Sequence, residues 1–222
     1  MNDRTIGRAG FLGILGAGAA GLFFAKNATG LLDRAVPKSV SSIVPTSGWR
    51  IYTVGDSMPN PDPVTFRLTI GGLVDTPATL SLADLKAMPR ADQVSDFHCV
   101  TGWSVNGVRW GGVRIGDLLD HVGARKSAQG LRFVSAEEPY DDSLTVEQAL
   151  LPDVMLAYEM DGAPISRPHG APLRLVMPKM YGYKSVKWVQ HIEVQAAPQP
   201  GFWEQHGYDA NAWIGKSNGF SA

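Results

Sequence analysis

Residues 94–112 read VSDFHCVTGWSVNGVRWGG, a stretch that holds the chain's only cysteine, Cys99, among glycines and tryptophans. Apolar Val94 and Phe97 predict a short strand running into Cys99, and Gly102, Asn106-Gly107 and Gly111-Gly112 predict a loop that turns back on itself after it. A lone cysteine is more often a small buried hydrophobe than a reactive group. Here Trp103, Trp110 and the glycines between and beyond them cost too much backbone entropy for a simple core strand. A thiol presented at a strand end for chemistry is the sharper reading.

The rest of the chain sets the bounds on that chemistry. Its 222 residues with 44% hydrophobic content are enough to bury a core. A formal net charge of -1, with only 18% charged residues, excludes the basic face that nucleic acid requires. One cysteine excludes an internal disulfide and a Cys-rich zinc site.

Upstream of the central stretch, Arg4 and Arg8 precede the apolar run Phe11 to Ala25, which Lys26 ends. That run is shorter than the roughly 20 residues that span a bilayer comfortably, and it fits the apolar part of a signal peptide. Residues 1–30 are therefore expected to be an export signal or an N-terminal anchor, with a membrane tether through residues 11–25 and a periplasmic or otherwise exported location. Residues 31–63, rich in Pro and Ser, read as an extended linker and lead-in. A folded domain is expected over residues 64–200, with an aromatic tail at 201–222 packed on it. Phe66, Leu68 and Ile70 alternate with Thr65, Arg67 and Thr69, predicting a half-buried strand from Val64 to Ile70 that Gly71-Gly72 ends. Ser81 with Asp84 predicts a helix start, Ile115 to His121 a second short helix closed by Gly123, and Thr145 with Gln148 a third helical turn. Further strands are predicted over Leu131–Ser135, Val154–Tyr158, Leu173–Met177 and Val186–Val194. Short helices among many strands, without βαβ alternation, make a sheet-dominated α+β fold.

A second stretch is chemically loaded. Residues 169–188, HGAPLRLVMPKMYGYKSVKW, place Arg174, Lys179, Lys184 and Lys187 among Tyr181, Gly182, Tyr183 and Ser185. Cations and exposed N–H groups around a glycine are what a bound phosphate requires. The spacing alone fits equally well with Arg174 and Lys187 on the solvent faces of two strands. Five histidines offer themselves as bases for a Cys-His nucleophile, and spacing selects none of them. His98, adjacent to Cys99 on a strand, would point to the opposite face.

Three segments, DFHCVTGWSV at 96–105, DVMLAYEMDGAPI at 153–165 and HGAPLRLVMPKMYGYKSVKWVQHIEV at 169–194, together resemble the molybdopterin-binding domain of the sulfite oxidase superfamily. The resemblance implies molybdenum-molybdopterin (Mo-MPT) as cofactor, with Cys99 as catalytic residue and metal ligand. It implies a cofactor-binding set of His98, Cys99, Ser143, His169, Arg174, Gly182, Tyr183, Lys184 and Lys187 around the pterin and its phosphate. It further implies two-electron oxygen-atom transfer on a small oxo-compound or sulfoxide, with electrons exchanged with a separate haem protein or cytochrome. Cys99-Val100 followed by Trp103-Ser104 is closer to the protein-methionine-sulfoxide reductase type than to sulfite oxidases proper, which carry arginine just after the cysteine. Arg109 and Arg114 read as surface charges. The alternative is a non-catalytic binding module that keeps the fold, for which a thiolate at 99 would be unnecessary.

Overall fold

The structure, a computed structural model, describes residues 48–217 and 219. The expected export signal or anchor at 1–30, and the lead-in as far as residue 47, lie outside the described residues. Among the described residues no helix is long and apolar enough to cross a membrane.

In chain order the first half forms β1 (Arg67–Gly72), β2 (Ala78–Ser81), helix α1 (Leu82–Ala87), β3 (Ala91–His98), β4 (Ser104–Arg114) and helix α2 (Ile115–Val122). The second half forms β5 (Gly130–Ser135), β6 (Asp141–Thr145), helix α3 (Val146–Ala149), β7 (Met155–Met160), β8 (Ala163–Pro164), β9 (Arg174–Val176) and β10 (Val189–Gln195). Single 3-10 turns lie at Arg167–His169, Gly182–Lys184 and Glu204–His206. Two five-stranded sheets result, one ordered β2-β1-β10-β5-β6 and the other β3-β4-β7-β8 with β9 on β7. In the first, β1 and β10 run parallel, so the two ends of the domain are joined by one ladder. This is the expected sheet-dominated α+β fold.

Local chemistry explains most elements. Leu68 and Ile70 are buried on one face of β1 while Arg67 and Thr69 face outward. Ser81 and Asp84 exchange the two hydrogen bonds of a capping box at the start of α1, and Thr145 and Gln148 do the same for α3. In α2, Ile115, Leu118, Leu119 and Val122 form one buried stripe, and Gly123 closes the helix in the left-handed region at φ 64°. Strand β7 has no polar face because it lies between two apolar clusters. Leu156 and Tyr158 enter the main core, while Met155 and Ala157 join Val108, Trp110, Ile165 and Val176 on the other side.

Three expectations need correction. The expected loop after Cys99 is mostly strand: β4 pairs with β3 on one edge and β7 on the other, and only Cys99–Trp103 forms the turn. Gly112 serves close strand approach there, since a Cβ on it would lie 2.0 Å from the Leu156 carbonyl oxygen. The last strand starts at Val189 instead of Val186, because Trp188 adopts φ 51° and takes the chain out of the ladder. Strand β6, DDSLT, carries no strand signal of its own and forms by pairing with β5, reinforced by the Arg132–Asp141 ion pair.

Gly112→Ala forces its methyl into the β7 backbone, and overpacking of this kind costs about 1–3 kcal/mol or more. Urea unfolding of the variant is expected to show a lower midpoint than wild type, whereas Gly116→Ala, whose Cβ would meet nothing nearer than the Leu150 side chain at 3.6 Å, is expected to lose less.

Candidate functional site

Cys99 sits at the tip of the β3–β4 hairpin. Its N–H donates to Trp103 O at 2.9 Å and its carbonyl accepts from Gly102 N–H at 3.0 Å, a turn that Gly102 allows at φ 90°. Its Sγ lies 3.1 Å from Thr101 Oγ1. Burial pushes the thiol up, and the Thr101 hydrogen bond and the Arg50 charge oppose this in smaller measure. A thiol so held is protonated at neutral pH, which is the opposite of what a pre-activated Cys-His nucleophile needs. His98 is directed elsewhere, with Nδ1 2.7 Å from Ser104 Oγ.

Beside the thiol opens a cavity with about 830 Å³ of empty space including its mouth. The hairpin contributes Phe97, Cys99 and Trp103, and the segment after β8 contributes His169, Arg174, Gly182, Tyr183 and Lys187. Gly182 is required by shape, since a Cβ there would lie 2.1 Å from the Phe97 ring. That contact locks the hairpin tip against the 182–184 turn.

The lining is cationic: Arg50, Arg174 and Lys187 face one carboxylate, Glu137. Arg174 is 2% exposed, and its guanidinium donates to the carbonyls of His169, Leu175 and Ser185 and lies over the rings of Trp110 and Phe97. No carboxylate among the described residues pairs with it, and burial lowers it to about 10. Lys187 Nζ donates to Tyr52 O at 2.8 Å and Pro168 O at 3.3 Å. Neither cation lies on a solvent face of a strand, so that reading of the spacing does not hold.

His98, Ser143 and Lys184 do not line the cavity. For Lys184 the reason is electrostatic: its ammonium is buried between Asp142 and Glu204, so two carboxylates already hold it. Ser143 lies on β6 beside that triad, its N–H donating to Asp142 Oδ1 at 2.6 Å. Arg109 is a surface charge near Asp161, while Arg114 is partly buried and bonds Gln93. Most other lining residues were absent from the expected set, among them Trp49 and Tyr52 in the lead-in, Arg50 between them, Glu137, and Trp203 and Tyr208 in the tail. The aromatic content of WRIY, inside an otherwise Pro- and Ser-rich segment, was the signal for the first two.

Among the described residues no group of three or more His, Cys, Asp or Glu side chains could hold a metal ion. A metal at Cys99 would therefore take its remaining donors from a cofactor, and a soft thiolate with a cationic cavity beside it fits an anionic, sulfur-bearing one.

Comparison with known proteins gives this chemistry a family. Residues 56–203 match the oxidoreductase molybdopterin binding domain, and the chain belongs to that family as an oxidoreductase of the sulfite oxidase superfamily. It is 39% identical over 163 residues to the uncharacterized oxidoreductase YuiH of Bacillus subtilis (strain 168), covering 73% of this chain and 82% of that one. It is 34% identical over 187 residues to the putative protein-methionine-sulfoxide reductase subunit YedZ1 of Azospira oryzae, covering 82% and 70%. Identity to a sulfite oxidase of Arabidopsis thaliana is 33%, over 65% of this chain but only 45% of that protein. The sulfane dehydrogenase SoxCD of Paracoccus pantotrophus shares the fold, with a TM-score of 0.61 at 24% identity over 65% of this chain and 42% of that one.

Burial pulls the Lys187 ammonium down to about 7, against the pull of Glu137. The unfolded chain keeps that proton to about pH 10. Between these values the unfolded state binds more protons, so this group makes stability rise with pH. The melting temperature of cofactor-free wild type is expected to rise between about pH 7 and about pH 9 through this group, and to rise less in Lys187→Met.

Proposed function

We propose that the protein binds Mo-MPT with Cys99 as the protein ligand of molybdenum, and catalyses two-electron oxygen-atom transfer on a small oxo-compound or sulfoxide. The observation that carries this is the adjacency of the lone thiol to a cavity in which the buried Arg174 guanidinium has no carboxylate partner among the described residues. A buried charge needs compensation, and a phosphate-bearing cofactor is the anion that would supply it. Bound there, the cofactor supplies the two-electron redox change and the oxygen-atom exchange.

The chain's own residues bind and orient. Cys99 would ligate the metal as a thiolate, its proton loss favoured by the metal's charge despite burial. Arg174 and Lys187 would hold the anionic part of the cofactor, with His169 and Gly182 bordering it, and Phe97 keeps the hairpin tip seated. Trp49, Trp103 and Tyr52 present apolar surface at the cavity, suited to the thioether side of a sulfoxide. Electrons would pass to or from a separate haem protein or cytochrome. The arginines near the N-terminus and the apolar run at 11–25 support export of the protein, with or without a retained tether.

A second substrate reading, a sulfur oxyanion such as sulfite, is favoured by Arg50, which the fold brings to the cavity although no arginine follows Cys99 in sequence.

Protein purified from a host that makes the cofactor is expected to carry molybdenum and pterin in amounts equal to the chain. It is expected to reduce a sulfoxide with a viologen donor, or to oxidise sulfite with a dye acceptor if the second reading holds. Cys99→Ser should fold and keep the pterin but lose at least about 100-fold in turnover. Full activity in that variant, or wild type devoid of both metal and pterin, would contradict the proposal.

A further inference from the structure

Residues Trp49 to Val54 all line the cavity in succession, so this piece of the lead-in, the strap, forms a continuous part of its wall. The strap is fastened from the domain side at three backbone positions. One oxygen of Glu137 accepts from Val54 N–H at 2.6 Å and from Gly55 N–H at 3.2 Å. Lys187 Nζ donates to the Tyr52 carbonyl at 2.8 Å. A single hydroxyl ties the two fasteners together: Ser135 Oγ donates to Lys187 O at 2.8 Å and accepts from Glu137 N–H at 2.9 Å. Glu137 is 4% exposed and Ser135 1%, so none of this geometry is borrowed from solvent.

We infer that Glu137 and Lys187 form a clasp that holds the strap Trp49–Gly55 closed over the cofactor cavity, making Glu137 a positioning residue for cofactor retention. The inference rests on the cofactor reading above for what lies beneath the strap, and on the hydrogen bonds alone for the clasp. A carboxylate buried to this degree is costly unless its lone pairs are used. Two strap N–H groups use them, and those N–H groups have no other partner in the ladder of either sheet. Lys187 offsets the burial of Glu137 and engages the Tyr52 carbonyl, two residues before Val54, so the strap is gripped through both its donors and an acceptor. Farther out, Arg167 holds Met58 O and Pro59 O from the exposed side. At the inner end, the Trp49 ring lies 4.8 Å from the rings of both Phe97 and His169, which keeps the strap in contact with the hairpin tip.

The test is hydrogen exchange of the full chain, loaded with cofactor and cofactor-free, in wild type and Glu137→Gln, with pterin release after dilution followed on the loaded samples. In Glu137→Gln the amides of Val54 and Gly55 are expected to exchange about tenfold faster, the loss of a charge-assisted hydrogen bond, while amides of β4 and β7 stay as in wild type. Pterin release is expected to quicken by a similar factor. Unchanged exchange at Val54 and Gly55 would overturn the clasp. Faster exchange with unchanged pterin release would overturn its role in retention. If Glu137→Gln fails to fold, wild type suffices: strap amides should exchange faster in the cofactor-free form than in the loaded form, and equal rates overturn the inference. A wild type that never acquires pterin would refute the function reading, while exchange in the cofactor-free pair still decides the clasp.

Discussion

A guanidinium buried without a carboxylate is the constraint around which this domain is arranged. Arg174 of β9 lies at the cavity over Trp110 of β4 and Phe97 of β3, with its donors on the carbonyls of His169, Leu175 and Ser185. Each of those partners belongs to a different piece of the site. The hairpin that carries Cys99, the 3-10 turn before Gly170 and the turn at Gly182 are thus all referred to one side chain. Carbonyl dipoles solvate such a charge without neutralising it, and the remaining imbalance is what the proposed anionic cofactor would meet.

Two lysines three residues apart show how the fold divides labour within one stretch. Lys184 turns inward to Asp142 of β6 and Glu204 of the tail, and the two carboxylates hold its ammonium above its ordinary range against burial that works to lower it. Burial lifts Asp142 in turn. This triad joins the tail to the domain and so brings Trp203 and Tyr208 to the cavity wall. Lys187 turns to the cavity and the strap instead. The chain leaves the 3-10 turn Gly182–Lys184 between the two, and Trp188, in left-handed backbone just after Lys187, donates its indole N–H to Arg167 O at 2.9 Å.

The parts of this arrangement that were legible in sequence are those set by local rules. The capping boxes at Ser81 and Thr145, the buried stripe of α2 with its Gly123 stop, and the alternation around Leu68 and Ile70 each depend on residues within one or two turns of chain. Cys99 and the cationic cluster at 174–187 stood out by composition. What could not be read is long-range. Glycines 111 and 112 look like turn residues until β7 is known to pass against them, and the DDSLT strand exists because β5 and Lys184 receive its aspartates. The lead-in around Trp49 and Tyr52 carries loop composition because it is held by side chains from residues more than eighty positions away, not by a sheet ladder.

Whether Cys99 ligates molybdenum, as proposed, or is merely a thiol near the cavity decides the proposed function. X-ray absorption at the molybdenum edge, on cofactor-loaded wild type and Cys99→Ser, tests this most directly. A ligating Cys99 predicts one sulfur neighbour fewer around molybdenum in the variant than in wild type. Equal sulfur shells in the two proteins, with molybdenum retained in both, would contradict it.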